Sequence, residues 1–513
     1  MIICLPHRGE AKCFSLTPRR AAPVSPELTS NKGLALGILA LAQLMVVLDA
    51  TIVNVALPSI QTALHFSSAA NLQWVVTIYL LTFGGFLLLG GRVADRYGRR
   101  LVFVAGAAFF VVCSLVGGLA GSSSVLVAAR GGQGLGGAFM TPAALSLVTI
   151  IFREGEERNR ALGVWAAIAG SGSGIGLLLG GVLTSYLSWR WVFFVNIPIG
   201  AIAAVAALFV ISESRDPEAG GFDVAGAVTV TGGIAALVFA LVRASVWGWT
   251  STKTIGVFVA SAVLIGVFIV IQERTRHPLV HLSLFRNGTL VGANVGMLLT
   301  GAALFGMFFF ITLYVQQIHH YSPIKAGLAF LPVSAVIVVS AGLGSRILAR
   351  AGPRLVLVVG LTTAAVGMAL LTRISPTATY VGALLPAIVV LGAGLGVSFV
   401  ALTSSAVAGV PREDAGVASA LINASQQVGG ALGLGVLTAV AAAGLVHPAQ
   451  PTPAALALAT TNSWVLAFEV SAGLLLGAAI VTGVLVRTGR AQPPEGATRP
   501  AEVSERAAFA GNE

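Results

Sequence analysis

The sequence predicts an all-α integral membrane protein whose chain crosses the bilayer fourteen times in two related halves. Three observations carry this. Of 513 residues, 56% are hydrophobic and only 10% are charged, with a mean hydropathy of +0.91; short polar loops between long apolar runs give such a composition. The runs are about 20 residues long, the length that crosses a hydrocarbon core of ~30 Å. Finally, "GGRVADRYGRRLVFVAG" (90–106) and "GSRILARAGPRLVLVVG" (344–360) align without a gap at an offset of 254 residues, the mark of an internal repeat.

The spans fall at approximately 34–57, 73–91, 101–121, 124–151, 161–187, 191–212, 222–242, 254–272, 289–314, 324–344, 354–373, 379–401, 415–444 and 464–486. Six spans per repeat leave two between the halves. The expected organisation is therefore a tail (1–33), a six-helix bundle (34–212), an inserted two-helix linker (213–288), a second six-helix bundle (289–486) and a tail (487–513), or 6 + 2 + 6. An even count puts both tails on one side. The loops on that side hold fifteen arginines (92, 96, 99, 100, 153, 158, 160, 215, 274, 276, 286, 346, 350, 354 and 412), against five basic residues opposite (Arg190, Arg243, Lys253, Lys325 and Arg373). The bias toward the tail side makes it the cytoplasmic one.

Charge and cysteine usage exclude other classes. A net charge of +11 would suggest nucleic acid as a partner in a soluble protein, but here the basic residues lie in loops and report orientation. Cys4, Cys13 and Cys113 have no metal or redox spacing and read as plain thiols. Residues 1–32 have no apolar core before a small-residue cleavage site, so a cytoplasmic tail is expected rather than a signal peptide, and "QPPEGATRP" predicts a disordered C-terminal tail. His7, His65, His277, His281, His319, His320 and His447 all fall in tails or loops, which argues against an enzyme or a metal centre. "GSGSGIG" lies inside a span with no GK[ST] after it, so no phosphate-binding loop is read there.

Taken in order, the first chemistry-bearing feature is Asp49, deep in the first span within "LDATIVNVALPSI". An ionised carboxylate in hydrocarbon is costly unless paired or hydrated, which marks Asp49 as a candidate to bind and release a proton. Arg130 is the other charge inside the membrane. Counted from the far ends of their spans, Asp49 lies about eight residues in and Arg130 about six, so both sit roughly 9–12 Å below that surface at ~1.5 Å per residue. They can meet. In "GRVADRYGRR", Gly91 and Gly98 permit tight turns while Asp95 sits among Arg92, Arg96, Arg99 and Arg100, a network able to latch helix ends in one conformation and break in another. Ala349 replaces the acid in the second copy, so any latch is asymmetric.

These motifs carry a resemblance. "GRVADRYGRR" is similar to the signature loop between the second and third spans of the major facilitator superfamily. Fourteen spans with "LDATIVNVALPSI" resemble its drug:proton antiporter branch, of the multidrug and quaternary-ammonium efflux type. The likeness runs from about residue 34 to 486, through "QWVVTIYLLTFG" (73–84), "RGGQGLGGAFMTPAALSLV" (130–148), "LSWRWVFFVNIPIG" (187–200), "YSPIKAGLAFLP" (321–332) and "GVASALINASQQVGGALG" (416–433). It implies a multi-pass transporter of a bacterial plasma membrane that exports lipophilic drugs in exchange for protons, confers antibiotic resistance, and uses the proton gradient rather than a cofactor. The implied partners are a lipophilic small molecule, protons and the lipid bilayer, with no nucleic acid and no obligate protein partner. The same fold serving one dedicated metabolite, such as a self-made antibiotic, is the alternative.

The resemblance links the Arg130 position to proton movement, with Gln133 as a nearby polar candidate; an arginine does not itself release the proton, so its role is to tune or displace the proton on Asp49. The fifth span carries "GSGSGIGLLLGG" (170–181), whose Gly170, Gly172, Gly174, Gly176, Gly180 and Gly181 allow close helix approach and bending. The resemblance implies the antiporter motif here, yet Leu177 stands where that motif usually has proline. Asn423, Gln426 and Gln427 on the thirteenth span either face a central cavity or join helices. Glu469 lies about five residues from the far end of the last span, as a hydrated interfacial carboxylate or a cavity residue, and Asp223, Trp247 and Trp249 read as interface anchors.

Overall fold

A computed structural model describes residues 2–7, 10–15, 29, 31–153, 155–215, 223–411, 414–446, 448–449 and 452–487. Most of both tails, Arg412 and His447 lie outside them. Apart from a two-stranded hairpin (Ile2–His7 with Glu10–Ser15), every described element is helical. Fourteen long helices follow one another: α1 Lys32–Ala63, α2 Trp74–Tyr97, α3 Arg99–Gly118, α4 Ser123–Ile151, α5 Glu156–Tyr186, α6 Asn196–Val210, α7 Val224–Trp247, α8 Thr252–Arg274, α9 Gly288–Leu313, α10 Leu331–Ala351, α11 Pro353–Leu370, α12 Leu385–Val407, α13 Ala415–Ala443 and α14 Pro453–Leu485. Thirteen of the resulting spans are long and apolar enough over their length to cross a membrane, and α5 contributes a shorter apolar stretch, Gly174–Tyr186.

Local chemistry explains the helix ends. Asn31, Ser122, Asp223, Ser251, Asn287 and Thr452 each accept a backbone N–H from the first turn of the helix that follows, satisfying a donor the helix itself leaves open. Thr452 with Pro453 at the first helical position starts α14 eleven residues before the expected 464. The two repeat copies turn on equivalent glycines, Gly98 (φ +125°) and Gly352 (φ +76°), left-handed positions where a side chain would be strained.

Packing repeats with the sequence. In the first half α4 packs on α2 and α3, α1 on α5 and α6, and α3 on α6; eight helices later α12 packs on α10 and α11, α9 on α13 and α14, and α11 on α14. Close approach depends on glycine at these seams. A Cβ on Gly90 would fall 2.2 Å from the carbonyl oxygen of Ala138, and one on Gly429 would fall 2.0 Å from that of Leu298.

The halves meet along two seams related by the same repeat, α2 with α13 and α5 with α10, while α1 touches α9 between them. The inserted pair α7–α8 packs together and lays α7 across the first seam, with Thr231 against Gly85 of α2 and Val238 against Gly435 of α13. On the side away from the tails, the far side, the halves are joined by hydrogen bonds. Gln316 Nε2 donates to Val55 O (2.8 Å), Gln317 Nε2 to Gln61 Oε1 (2.9 Å) and Ile324 N to Ser185 Oγ (3.0 Å). At the tail side a cavity of about 450 Å³ opens between the ends of α1, α4 and α5, lined by Leu36, Phe152, Ala161 and Val164 with Glu156, Glu157 and Arg160.

Candidate functional site: a buried charge network in the first half

Asp49 on α1 and Arg130 on α4 are fully buried and face each other, Arg130 Nη1 donating to Asp49 Oδ2 at 2.5 Å. With Asp223 they are the buried charged residues among those described. Burial removes both from water, and attraction offsets that cost only when the remaining lone pairs and protons are also bonded. Most are. Asp49 Oδ1 accepts from Gln133 Nε2 (3.0 Å) and Asn196 Nδ2 (2.8 Å). Arg130 Nε donates to Val75 O (2.9 Å) and Nη1 also to Gln133 Oε1 (2.9 Å), while its guanidinium lies 4.2 Å from the Tyr79 ring centroid. Gln133 Nε2 in turn donates to Ser114 Oγ (2.8 Å), whose hydroxyl donates to Phe110 O (2.8 Å).

Helix geometry assembles this set. Arg130 and Gln133 are three residues apart and share one face of α4, and Val75 and Tyr79, four apart, share the facing side of α2. Asn196 opens α6, and Ser114 comes from α3. Arg130 sits two turns into α4, roughly 10 Å from its far-side end. Tyr79 Oη, Arg130 Nη2 and Asn196 Oδ1 are buried at the network without a partner among the described residues, so it can form further hydrogen bonds.

Gln133, the polar candidate expected near Arg130, bonds both members of the pair and is buried in the charge network rather than lining a cavity. Asn196, Ser114 and Tyr79 also join the network, and of these only Asn196 carries a signal in the sequence, where "FFVNIPIG" sets one amide in an apolar run.

The expected latch loop is used within the first half and toward the inserted segment. Arg99 pairs with Asp95 (2.8 Å) and donates to Ser214 Oγ (2.9 Å). Arg100 donates to Ile211 O (3.1 Å) and its backbone N–H to Glu213 (3.0 Å). Arg92 reaches Pro278 O (3.3 Å), and Arg96 is also engaged. A Cβ on Gly91 would make only an ordinary contact with Pro142.

On α5, Gly172, Gly176 and Gly180 face Val47, Thr51 and Ile52 of α1, whereas Gly174 and Gly181 face Ser334 and the Pro323–Ile324 backbone across the second seam. Gly170 lies within the same helix, which runs unbroken past a buried Leu177.

The remaining candidates fall at helix contacts and on exposed faces. Asn423 is exposed and donates to Ser419 O of its own helix, while Gln426 and Gln427 pack where α13 meets Gly301 and Gly84. Because α14 begins at Pro453, Glu469 lies about halfway along the helix, exposed on the face that carries Leu466, Leu476 and Ile480 rather than in a cavity. Asp223 caps α7 by accepting from Gly226 N (2.7 Å) and binds Gln272 of α8 (2.6 Å), joining the two inserted helices at the start of α7.

Residues 39–434 match the model of the Major Facilitator Superfamily. The chain is 40% identical to the puromycin resistance protein pur8 of Streptomyces alboniger, over 87% of this chain and 89% of that protein. It is 36% identical to the multidrug resistance protein Stp of Mycobacterium tuberculosis (strain CDC 1551 / Oshkosh), over 79% and 75%. A bacterial homolog of the human lysosomal transporter Spinster, solved inward-facing and unoccupied, shares the fold with a TM-score of 0.63 at 18% identity, covering 90% of this chain and 98% of that one. With two repeated six-helix halves, an inserted pair and these relatives, the chain belongs to the Major Facilitator Superfamily, a family of membrane transporters.

Proposed function

We propose that this protein is a proton-coupled exporter of lipophilic drugs or toxic compounds, working by alternating access in a bacterial plasma membrane with both termini in the cytoplasm. One observation carries the reading. A carboxylate, Asp49, is held without exposure to water by an arginine that can be traded for a proton. In the far-closed state Asp49 is paired. When the far side opens, water reaches the network, the carboxylate takes a proton and releases Arg130. Return to the tail-open state then delivers that proton to the cytoplasm as Arg130 reclaims Asp49. Asn196 and Gln133 orient the carboxylate in both halves of the cycle.

The moving units are the bundles 34–212 and 289–486, with 213–288 inserted between them. The cargo path between them is largely apolar and selects by size and surface, and the proton gradient supplies energy without a cofactor. A second reading, export of one dedicated antibiotic, is favoured by pur8, whose name specifies puromycin resistance. Proteoliposomes under an imposed pH gradient, assayed with a fluorescent lipophilic cation and with puromycin, test both. Gradient-driven export of the cation that is lost in Asp49→Asn while cargo binding persists supports the proposal. Undiminished export in that variant refutes Asp49 as the coupling group, and movement of puromycin alone selects the second reading.

A further inference from the structure

The two copies of the internal repeat meet the same concentration of positive charge in different ways. In the first, the corner between α2 and α3 gathers Arg92, Arg96, Arg99 and Arg100, and two carboxylates answer them, Asp95 on Arg99 (2.8 Å) and Glu213 beside Arg100 (3.8 Å). Glu213 also fills the start of α3. Its two oxygens accept the N–H groups of Arg100 and Leu101, each at 3.0 Å, and a Cβ on Gly98 would fall 2.6 Å from its carboxyl carbon. Ser214 O accepts the N–H of Arg99 (2.8 Å). A helix N-terminus holds an anion in this way because its first N–H groups have no acceptor within the helix.

The second copy has the same corner without the anion. The gapless alignment puts Arg346, Arg350 and Arg354 at the places of Arg92, Arg96 and Arg100, Ala349 at that of Asp95 and Pro353 at that of Arg99. All three arginines are exposed, and among the described residues none of them makes a hydrogen bond or an ion pair through its side chain. Arg346 and Arg350 stand one turn apart at the end of α10, so their charges repel. No side chain caps α11, the N–H groups of Arg354 and Leu355 have no acceptor among the described residues, and a Cβ on Gly352 would meet nothing within 4 Å. Pro353 has no N–H to satisfy. Nor does α14, which packs on α11 as α6 does on α3, bring a second Glu213: in the sequence its cap Val486 is followed by Arg487 and Thr488, where Ile211 of α6 is followed by Ser212 and Glu213.

We propose that the α10–α11 corner binds the phosphate head group of an anionic phospholipid, which takes the place that the Glu213 carboxylate holds in the first half. Exposed Leu343 and Ile347 continue the arginine-bearing face of α10 toward the membrane interior, and exposed Leu355 and Val359 run the same way along α11. A soluble anion has no use for those apolar faces. A lipid matches the charge with its head group and the faces with its chains. Arginine suits the task because its guanidinium presents paired donors to phosphate oxygens.

Native mass spectrometry of the full-length protein in a neutral detergent, titrated with phosphatidylglycerol and with phosphatidylcholine of the same chains, tests the site. Wild type should retain one phosphatidylglycerol more tightly than any phosphatidylcholine. Each of Arg346→Gln, Arg350→Gln and Arg354→Gln should weaken that binding about fivefold, and the three together should abolish the preference. Ala349→Asp installs the first copy's acid and should weaken binding as well. Arg274→Gln with Arg276→Gln and Arg286→Gln removes three other exposed arginines from the same side and should leave it unchanged. Equal losses in the two triple variants would reflect only the basic character of this side and overturn the site. Inorganic phosphate that displaces the lipid at equal concentration assigns the corner to a soluble anion. Lipid binding that appears only after Glu495, Glu502, Glu505 and Glu513 are changed to Gln assigns it to the chain's own tail. Either of these results overturns the lipid proposal.

Discussion

At the scale of single residues, the Asp49–Arg130 pair makes a thermodynamic prediction separate from transport. Arg130→Ala leaves a buried carboxylate with only amide donors, and truncating one partner of a buried pair costs about 3–5 kcal/mol. Asp49→Asn strands the guanidinium in the same way. Removing both charges, as Asp49→Asn with Arg130→Ala, should destabilise less than the two single changes added together, with a coupling of about 0.5–3 kcal/mol. Unfolding midpoints in detergent micelles measure this, and simple additivity would show that the pair is not coupled. Both charges were legible in the sequence because an acid and a base inside apolar spans have few places to go, and their matched depths brought them together. Asn196, Ser114 and Tyr79 were not legible. A neutral polar residue in a span can bond its own backbone, as Asn423 does, and nothing local tells that arrangement from a bond across the bundle.

At the scale of elements, glycine placement decides how closely α5 approaches its neighbours. A Cβ on Gly181 would sit 2.7 Å from Pro323 O and 2.8 Å from Ile324 Cα, backbone that cannot swing aside, whereas Gly163 of the same helix has nothing within 4 Å. Gly181→Ala should therefore destabilise by about 1–3 kcal/mol through overpacking, and Gly163→Ala should stabilise by about 0.5–1 kcal/mol through lower chain entropy. Thermal unfolding of the two variants side by side checks the contrast; equal shifts would mean that α5 is not held against Pro323–Ile324. The sequence revealed the glycine run but not its two faces, because α1 and α10 approach the helix from different directions. Element number and order followed from apolar run length. The start of α14 did not, since "PTPAALALATTN" mixes polar and small residues and only the Thr452–Pro453 cap shows that the helix begins there.

At the scale of the whole molecule, the repeat makes the two seams equivalent, yet the chain treats them differently. The α2–α13 seam is overlaid by α7 and tied down by Arg92 on Pro278 O, whereas the α5–α10 seam carries no inserted helix and is held at its far end by glycine contacts and the Ile324–Ser185 hydrogen bond. An opening of the far side must break that bond together with the Gln316–Val55 and Gln317–Gln61 contacts, all of which join the halves. Three hydrogen bonds, each worth about 0.5–1.5 kcal/mol net, form a barrier that ligand and proton binding can overcome. A covalent bond is not. Ser185→Cys with Ile324→Cys, in a background with Cys4, Cys13 and Cys113 all replaced by Ser, places two thiols at a contact where the Ile324 N–H already reaches the Ser185 side chain (3.0 Å). Oxidation should arrest transport in proteoliposomes and reduction should restore it, with tail-side labelling of the cavity near Phe152 and Val164 unaffected throughout. A bridge that forms in full, verified by mass spectrometry, while transport continues would mean that the halves do not part along this seam.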